Sequence, residues 1–106
     1  MHHVTMAEKS LLIGDSAAGL LIEYAVLIAK TGGADAVQVH AFGVDGEEVV
    51  ATFLLNSGTV LMAESTLSTL AEPDNGVLED YLKNALAGFT FSGTESWDDL
   101  EPHTLE

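Results

Sequence analysis

The chain has no cysteine, no arginine and only three lysines, and these absences exclude several kinds of function. Without cysteine there is no disulfide framework, thiolate nucleophile, iron–sulfur cluster or cysteine-based zinc site. With Lys9, Lys30 and Lys83 as its only cations, the chain cannot build the basic surface that binds nucleic acid. It also lacks the arginine fork that usually clamps phosphates, and no glycine-rich phosphate-binding motif occurs. We therefore predict no nucleic-acid partner and disfavour phosphate chemistry.

The composition indicates a packed body with an acidic surface. The 106 residues carry seventeen acids and a formal net charge of −14, yet 47% of them are hydrophobic, which is far from the composition of disordered chains. We expect one domain over residues 1–91. Residues 92–106 form an acidic tail with no lysine, in which Trp97 is a side chain able to dock on the domain.

No export signal and no membrane span are expected. The first residues lack a basic region followed by an apolar one and a cleavage site. The apolar stretch over residues 11–29 contains Asp15 and Glu23, which disfavours insertion in a bilayer. We predict a cytoplasmic protein with no membrane contact.

A helix is predicted over about residues 16–31. Asp15 and Ser16 offer N-cap oxygens, with Ser16 taken as the cap, and residues 30–33 supply a cation followed by a glycine stop. Only Glu23 interrupts the apolar run between these signals. The helix is thus apolar nearly all round, and such a helix is normally covered on more than one side.

The last predicted helix covers about residues 76–87. Its apolar side chains recur at the spacing of one buried stripe, and Gly88 is a fitting end. Earlier in the chain, residues 10–13 read as a short buried strand, whereas Thr5 and Glu8 fit a capping box that would begin a helix at Met6. The strand is slightly favoured, because a glycine and an aspartate then mark a strand-to-helix turn.

The middle of the chain predicts a three-stranded antiparallel meander. Segments at about residues 36–44, 47–55 and 59–65 are rich in Val, Phe, Thr and Leu. Asp45 and Gly46 suit a two-residue hairpin turn, and residues 56–58 suit a three-residue one. With the two helices, the predicted fold class is α+β.

The two-residue turn would place His40 opposite Ala51, with Ala63 one strand further, and these small neighbours could leave a hollow beside a titratable ring. The alternative, which we favour, is that the alanines let the first helix pack closely and that His40 is structural, since no nucleophile or metal co-ligand accompanies it. The candidate ligand-binding residues are Gln38, His40, Phe42, Ala51, Phe53, Ala63, Tyr24 and Glu23.

Catalytic and metal-binding interpretations are weaker. Glu23, on the apolar first helix, is the best-placed single carboxylate, but we favour a hydrogen-bonded role or a dimer contact for it. Asp45 and Asp74 lie in turn-like segments that lack the spacing of a calcium loop, so they are interpreted as turn and cap residues. We expect no metal and no cofactor.

The apolar first helix and the two apolar faces of the predicted sheet exceed what one small domain easily covers. We therefore predict a non-catalytic protein–protein interaction module that forms a homodimer through the sheet or the first helix. One alternative is a small-ligand-binding domain or minor enzyme with its pocket near His40. Another is an acidic mimic or escort that binds a basic protein.

Overall fold

The described part of the chain folds into two helices and one five-stranded antiparallel sheet, so the predicted α+β class is confirmed. The structure is a computed structural model that describes residues 1–68 and 70–92; Trp97 and the rest of the predicted tail beyond residue 92 lie outside it. The strand order in the sheet is β4-β3-β2-β1-β5. The elements are β1 His2–Met6, β2 Lys9–Ile13, α1 Asp15–Thr31, β3 Ala34–Phe42, β4 Glu48–Asn56, β5 Leu61–Ser65 and α2 Gly76–Ser92.

The N-terminal residues form a β-hairpin. β1 and β2 pair antiparallel from His2 opposite Ile13 to Met6 opposite Lys9, and Ala7 turns the chain with a positive φ of 57°. The strand predicted at residues 10–13 is therefore confirmed and begins one residue earlier, whereas the helix beginning at Met6 is wrong. Buried Leu11 and Ile13 alternate with a half-buried Leu12, which is the two-residue period of a strand.

The predicted meander is wrong in its third strand. β5 pairs with β1 at the opposite edge of the sheet, from Met6 opposite Leu61 to His2 opposite Ser65. At the end of β4, Thr59 Oγ1 accepts a hydrogen bond from Asn56 N at 2.9 Å and donates one to Leu54 O at 3.1 Å. These are the edge groups with which a strand returning from a tight hairpin would begin to pair, and the chain continues to β1 instead.

The β3–β4 hairpin is confirmed, but its register differs from the predicted one by one residue. Its loop has five residues, closed by a hydrogen bond from Gly43 N to Glu47 O at 2.8 Å, rather than two. His40 therefore lies opposite Val50, and Ala51 lies opposite Val39. Because side chains alternate between the two faces of a sheet, a shift of one residue in β4 changes which of its side chains share a face with a given residue of β3.

α1 confirms the first predicted helix to within one residue, although not its cap. Gly14 is the N-cap residue and no side chain caps the helix; Ser16 Oγ instead donates to Glu79 Oε1 on α2 at 3.2 Å. The end is as predicted: Gly32 is left-handed at φ 73° and its N–H bonds to Ile28 O at 3.1 Å.

α2 begins as predicted at Gly76 but continues through Gly88 to Ser92, because a glycine weakens a helix by only about 1 kcal/mol without ending it.

Both helices leave one face of the sheet free. α1 packs on the face that we call the covered face, contacts strands β1, β4 and β5, and packs against α2, which also contacts β3. Leu21, Leu27 and Ile28 of α1 are buried, and Leu20, Ile22 and Val26 are half-buried. The buried strand residues of the covered face are Val4, Leu11, Ile13, Val37, Val39, Ala41, Phe53 and Leu55.

No helix in the described part of the chain is long and apolar enough to cross a membrane.

Candidate functional site

The other side of the sheet, which we call the open face, carries no helix layer in the described part of the chain. Strand alternation and register assign Val50 and Leu54 of β4 and Met62 of β5 to it, and these side chains are 57%, 57% and 52% exposed. Among the described strand residues only two acids, Glu48 and Glu64, share this face. The open face is thus apolar in parts and poor in charge, on a chain whose net charge is −14.

A cavity of about 640 Å³ lies where the open face meets the start of α2. β3 and β4 supply one side of it, and the segment before α2, together with the first turns of that helix, supplies the other. Its lining combines apolar groups with carboxylates, an imidazole and amides. The lining residues are Ala36, Val37, Gln38, His40, Glu48, Asp74, Asn75, Val77, Leu78 and Tyr81.

Asn75 connects these two sides. Its side chain is buried, with 4% of the residue exposed; Oδ1 accepts from His40 N at 2.7 Å and Nδ2 donates to His40 O at 2.8 Å. β2 leaves the sheet at Gly14 to begin α1, so β2 and β3 pair only at Leu12 opposite Phe42. The Asn75 amide thus replaces the strand that His40 would otherwise pair with, and satisfies a backbone donor and acceptor.

A second polar cluster joins α1, β3 and α2 beside the cavity. The hydroxyls of Tyr24 and Tyr81 both donate to Asp35 Oδ2, each at 2.5 Å, and the two rings pack edge to face with centroids 6.0 Å apart. The hydrogen bond from Tyr24, followed by that from Tyr81, lowers the pKa of Asp35. Burial, followed by the hydrogen bond to Asp35, raises the pKa of Tyr24. The carboxylate therefore stays ionised and Tyr24 stays protonated, which suits a structural bridge.

The N-terminus adds a third polar contact at the beginning of α1. The N-terminal amine lies 3.1 Å from Asp15 Oδ1, and His2 Nδ1 donates to the same oxygen at 2.6 Å. These hydrogen bonds, that of the amine first, lower the pKa of Asp15. His2 and His3 are strand residues of β1, and the His2 imidazole is held by its hydrogen bond to Asp15.

The structure does not bring the predicted ligand-binding residues into one hollow. The one-residue shift in register moves Ala51 and Phe53 to the covered face, away from His40. β5 carries Ala63 to the opposite edge of the sheet, beside Val4 on the covered face. Tyr24 and a half-buried Glu23 belong to α1, on the covered side. Gln38 and His40 do line a cavity, with other neighbours. Phe42 shares the open face with them, but lies at a smaller depression of about 160 Å³.

Sequence reasoning missed the residues that build this cavity from the α2 side. Asn75 lies in a segment of Pro, Asp, Asn and Gly, whose composition predicts a turn and says nothing of a buried amide. Tyr81 falls on the apolar stripe that predicts the buried side of its helix, yet it is 48% exposed. Helical spacing places Tyr81 one turn after Leu78, on the side that meets β3. This spacing is the sequence signal that could have identified Tyr81 as a cavity residue.

The two acidic turns serve backbone geometry. Asp45 Oδ1 accepts from Glu47 N at 3.1 Å, and Asp74 Oδ1 accepts from Gly76 N at 2.9 Å. Among residues 1–68 and 70–92, no group of three or more potential ligand side chains is arranged to hold a metal ion.

No family model matches the chain, and neither a curated protein nor a solved structure matches it.

Proposed function

We propose that this chain is a small, non-catalytic interaction domain that associates with a second copy of itself through the β4 side of the open face. The observation that carries the proposal is the exposure of Val50 and Leu54 on a sheet face without a helix layer. Exposed apolar surface of this kind marks interaction sites in proteins that otherwise bury such residues.

Charge supports the choice of this surface. Two copies with a net charge of −14 each repel one another unless they meet where acids are scarce. Among the described strand residues of the open face only Glu48 and Glu64 are acidic, and Glu64 lies on β5 at the opposite edge of the sheet. A contact on the β4 side of the open face keeps most of the charge at the outside of the pair, where it is solvated.

The engagement of the polar groups near the cavity supports a non-catalytic role. Asn75 uses both ends of its amide on His40, and the Tyr81 hydroxyl donates to Asp35. An amide does not titrate, and the pKa values of Asp35 and Tyr24 are shifted away from neutrality, which does not suit acid–base catalysis near pH 7.

Self-association is tested by size-exclusion chromatography with light scattering over a range of concentrations. We expect the native chain to form dimers in the micromolar range, and Val50→Thr with Leu54→Thr to raise the dimer Kd at least about tenfold, because two exposed apolar side chains lose buried area. Val77→Thr is the matched control, since Val77 is 89% exposed on α2 and should leave Kd unchanged. A native chain that stays monomeric up to millimolar concentration contradicts the proposal.

The second candidate function is binding of a small ligand in the cavity that Gln38 and His40 line. The observation that favours it is the volume of about 640 Å³, within the range of small-molecule sites. The carboxylates of Glu48 and Asp74 favour a ligand with a cationic group. The remaining alternative, an acidic mimic or escort of a basic protein, rests on net charge alone and stays a prediction.

Ligand binding is tested by thermal shift with a panel of small organic amines. A ligand that binds the folded state raises Tm, by an amount that grows with its concentration. We expect Glu48→Gln to reduce the shift, and Glu8→Gln, on the distant β1–β2 turn, to leave it unchanged. Absence of any shift across the panel at millimolar concentration contradicts this candidate.

A further inference from the structure

The outer edge of β4 has free backbone groups over half of its length. In β4 the even-numbered residues direct N–H and C=O away from β3, as the bonds of Asn56 N and Leu54 O to Thr59 show. Glu48, Val50 and Thr52 have the same orientation. β4 pairs only with β3 in the described part of the chain, so these three residues present unpaired donors and acceptors in a row.

The two edges of the sheet differ in how they discourage pairing. Natural edge strands are commonly short, or carry charges, prolines or bulges that block another strand. β5 has five residues and includes Glu64 near its end. β4 has nine residues with an unbroken register and no proline or lysine, and Glu48 is its only charged residue. β4 therefore has the properties of a strand that is paired in the functional state.

We propose that β4 pairs antiparallel with β4 of a second copy about a two-fold axis at Val50, which joins two five-stranded sheets into one of ten strands. This inference rests on the proposed self-association and specifies its geometry. Val50 then faces Val50, and Glu48 faces Thr52. Every free N–H and C=O of these three residues gains a partner.

The contact to Thr59 selects this register. An axis at Thr52 would pair Val50 with Leu54 and Glu48 with Asn56, but Leu54 O and Asn56 N already bond to Thr59. An axis at Ala51 would pair Glu48 with Leu54 and would meet the same occupied carbonyl. An axis at Val49 would pair Glu48 with Val50 and would leave Thr52 without a strand partner. The axis at Val50 pairs all three free residues with one another and uses none of the groups bonded to Thr59.

Charge favours a second copy in this orientation. Antiparallel pairing about Val50 separates the two Glu48 residues by four strand positions, roughly 14 Å at about 3.4 Å per residue. This distance exceeds the Debye length of about 8 Å at physiological ionic strength, so their repulsion is largely screened. A parallel arrangement would instead place Glu48 beside Glu48. The β4 edge of one copy is thus complementary in charge to the β4 edge of another.

The absence of cysteine permits a direct test by single-cysteine cross-linking of the full chain. Paired strands place the two Val50 Cα atoms about 5.5 Å apart, within disulfide range. Under mild oxidation we expect Val50→Cys to form a covalent dimer at least tenfold faster than Met62→Cys. Met62 is the matched control, because it is 52% exposed on the same face but lies at the opposite edge.

Other cross-linking results distinguish a wrong register from a wrong mode of association. Faster cross-linking of Thr52→Cys than of Val50→Cys overturns the register, and faster cross-linking of Met62→Cys overturns edge pairing in favour of face-to-face packing. A native chain that is dimeric by light scattering, with no preference for Val50→Cys, refutes this inference and leaves the proposed function standing. A monomeric native chain refutes both.

Amide hydrogen exchange on the unmodified chain gives an independent readout. The Val50 and Thr52 amides should exchange more slowly as protein concentration rises, whereas Val49 and Ala51 already pair with β3 and serve as internal controls. Equal concentration dependence at all four amides contradicts the edge pairing.

Discussion

Asn75→Ala is expected to lower the free energy of unfolding by about 2–4 kcal/mol, because it leaves two backbone groups of His40 without partners. Each buried donor or acceptor that loses its partner costs about 1–3 kcal/mol, and Asn75 satisfies one of each. The loss also detaches the start of α2 from β3. Urea denaturation followed by circular dichroism measures the change.

Asn84→Ala is the matched control for Asn75→Ala. Asn84 is exposed on α2, and the change to a better helix former should alter the free energy of unfolding by less than about 0.7 kcal/mol. Asn75→Asp separates the two bonds, because it keeps the acceptor for His40 N and removes the donor to His40 O. If Asn75→Ala lowers the free energy of unfolding by less than about 0.5 kcal/mol, water replaces the amide, and the two hydrogen bonds between Asn75 and His40 do not stabilise the fold.

The helices were predictable because their signals are local. α1 has a continuous apolar run between an acidic start and a glycine end, and its observed bounds differ from the predicted ones by one residue. The end of α2 was predicted at Gly88 because glycine commonly ends helices, yet a glycine does so only where the chain adopts a left-handed conformation. Gly32 does so at φ 73°, whereas Gly88 does not have a positive φ.

The sheet order was not predictable from local signals. Four of the five described strands were predicted to within two residues at each end and β1 was not predicted, and a strand's sequence does not specify which free edge it joins. β5 joins β1, which precedes it by more than fifty residues, and Thr59 bonds the edge groups at the end of β4 where a hairpin return would begin. The composition of residues 56–58 predicts that the chain reverses direction there, but it does not predict which strand the next segment pairs with.

The candidate site depended on a register that the turn sequence suggested wrongly. Asp45 and Gly46 suit a two-residue hairpin, but Asp45 caps Glu47 N within a longer loop, and Gly43 closes that loop. A difference of one residue then sends Phe53 and Ala51 to the covered face, while His40 stays on the open face. Site predictions that combine two strands are therefore only as reliable as the turn between them.

The excess of apolar surface inferred from the sequence is located differently in the structure. α2 and the covered face bury Leu21, Leu27 and Ile28 of α1, while Leu20, Ile22 and Val26 are half-buried, so the most exposed apolar side chains are not on this helix. The exposed apolar groups instead include Val50 and Leu54 on the open face, which is why the proposed contact uses β4. Burial of a helix thus follows from its tertiary neighbours as well as from its own periodicity.

Tyr24→Phe is expected to cost about 1–2 kcal/mol at pH 7 and to change the pH dependence of stability at both ends of the scale. It removes a hydrogen bond to the ionised Asp35 carboxylate, and bonds to charged groups contribute about 1.5–3 kcal/mol before discounting for partial exposure. The pKa of Asp35 is lowered in the folded state, so its contribution is present above the ordinary value of 3.8 and is lost as pH falls from there through the lower folded-state pKa. The pKa of Tyr24 is raised, so its contribution is present below pH 10 and is lost as pH rises further.

Thermal or urea unfolding of the native chain, Tyr24→Phe and Tyr81→Phe, each from pH 3 to pH 11, measures these differences. Comparison between variants is necessary because protonation of the many other acids relieves self-repulsion and stabilises the fold as pH falls, opposite in sign to the loss at Asp35. Tyr81→Phe should have the smaller effect, because Tyr81 is the second cause of the Asp35 shift and is 48% exposed. If Tyr24→Phe has the same slope as the native chain both below pH 5 and above pH 10, the Asp35 bridge does not contribute to the stability of the fold.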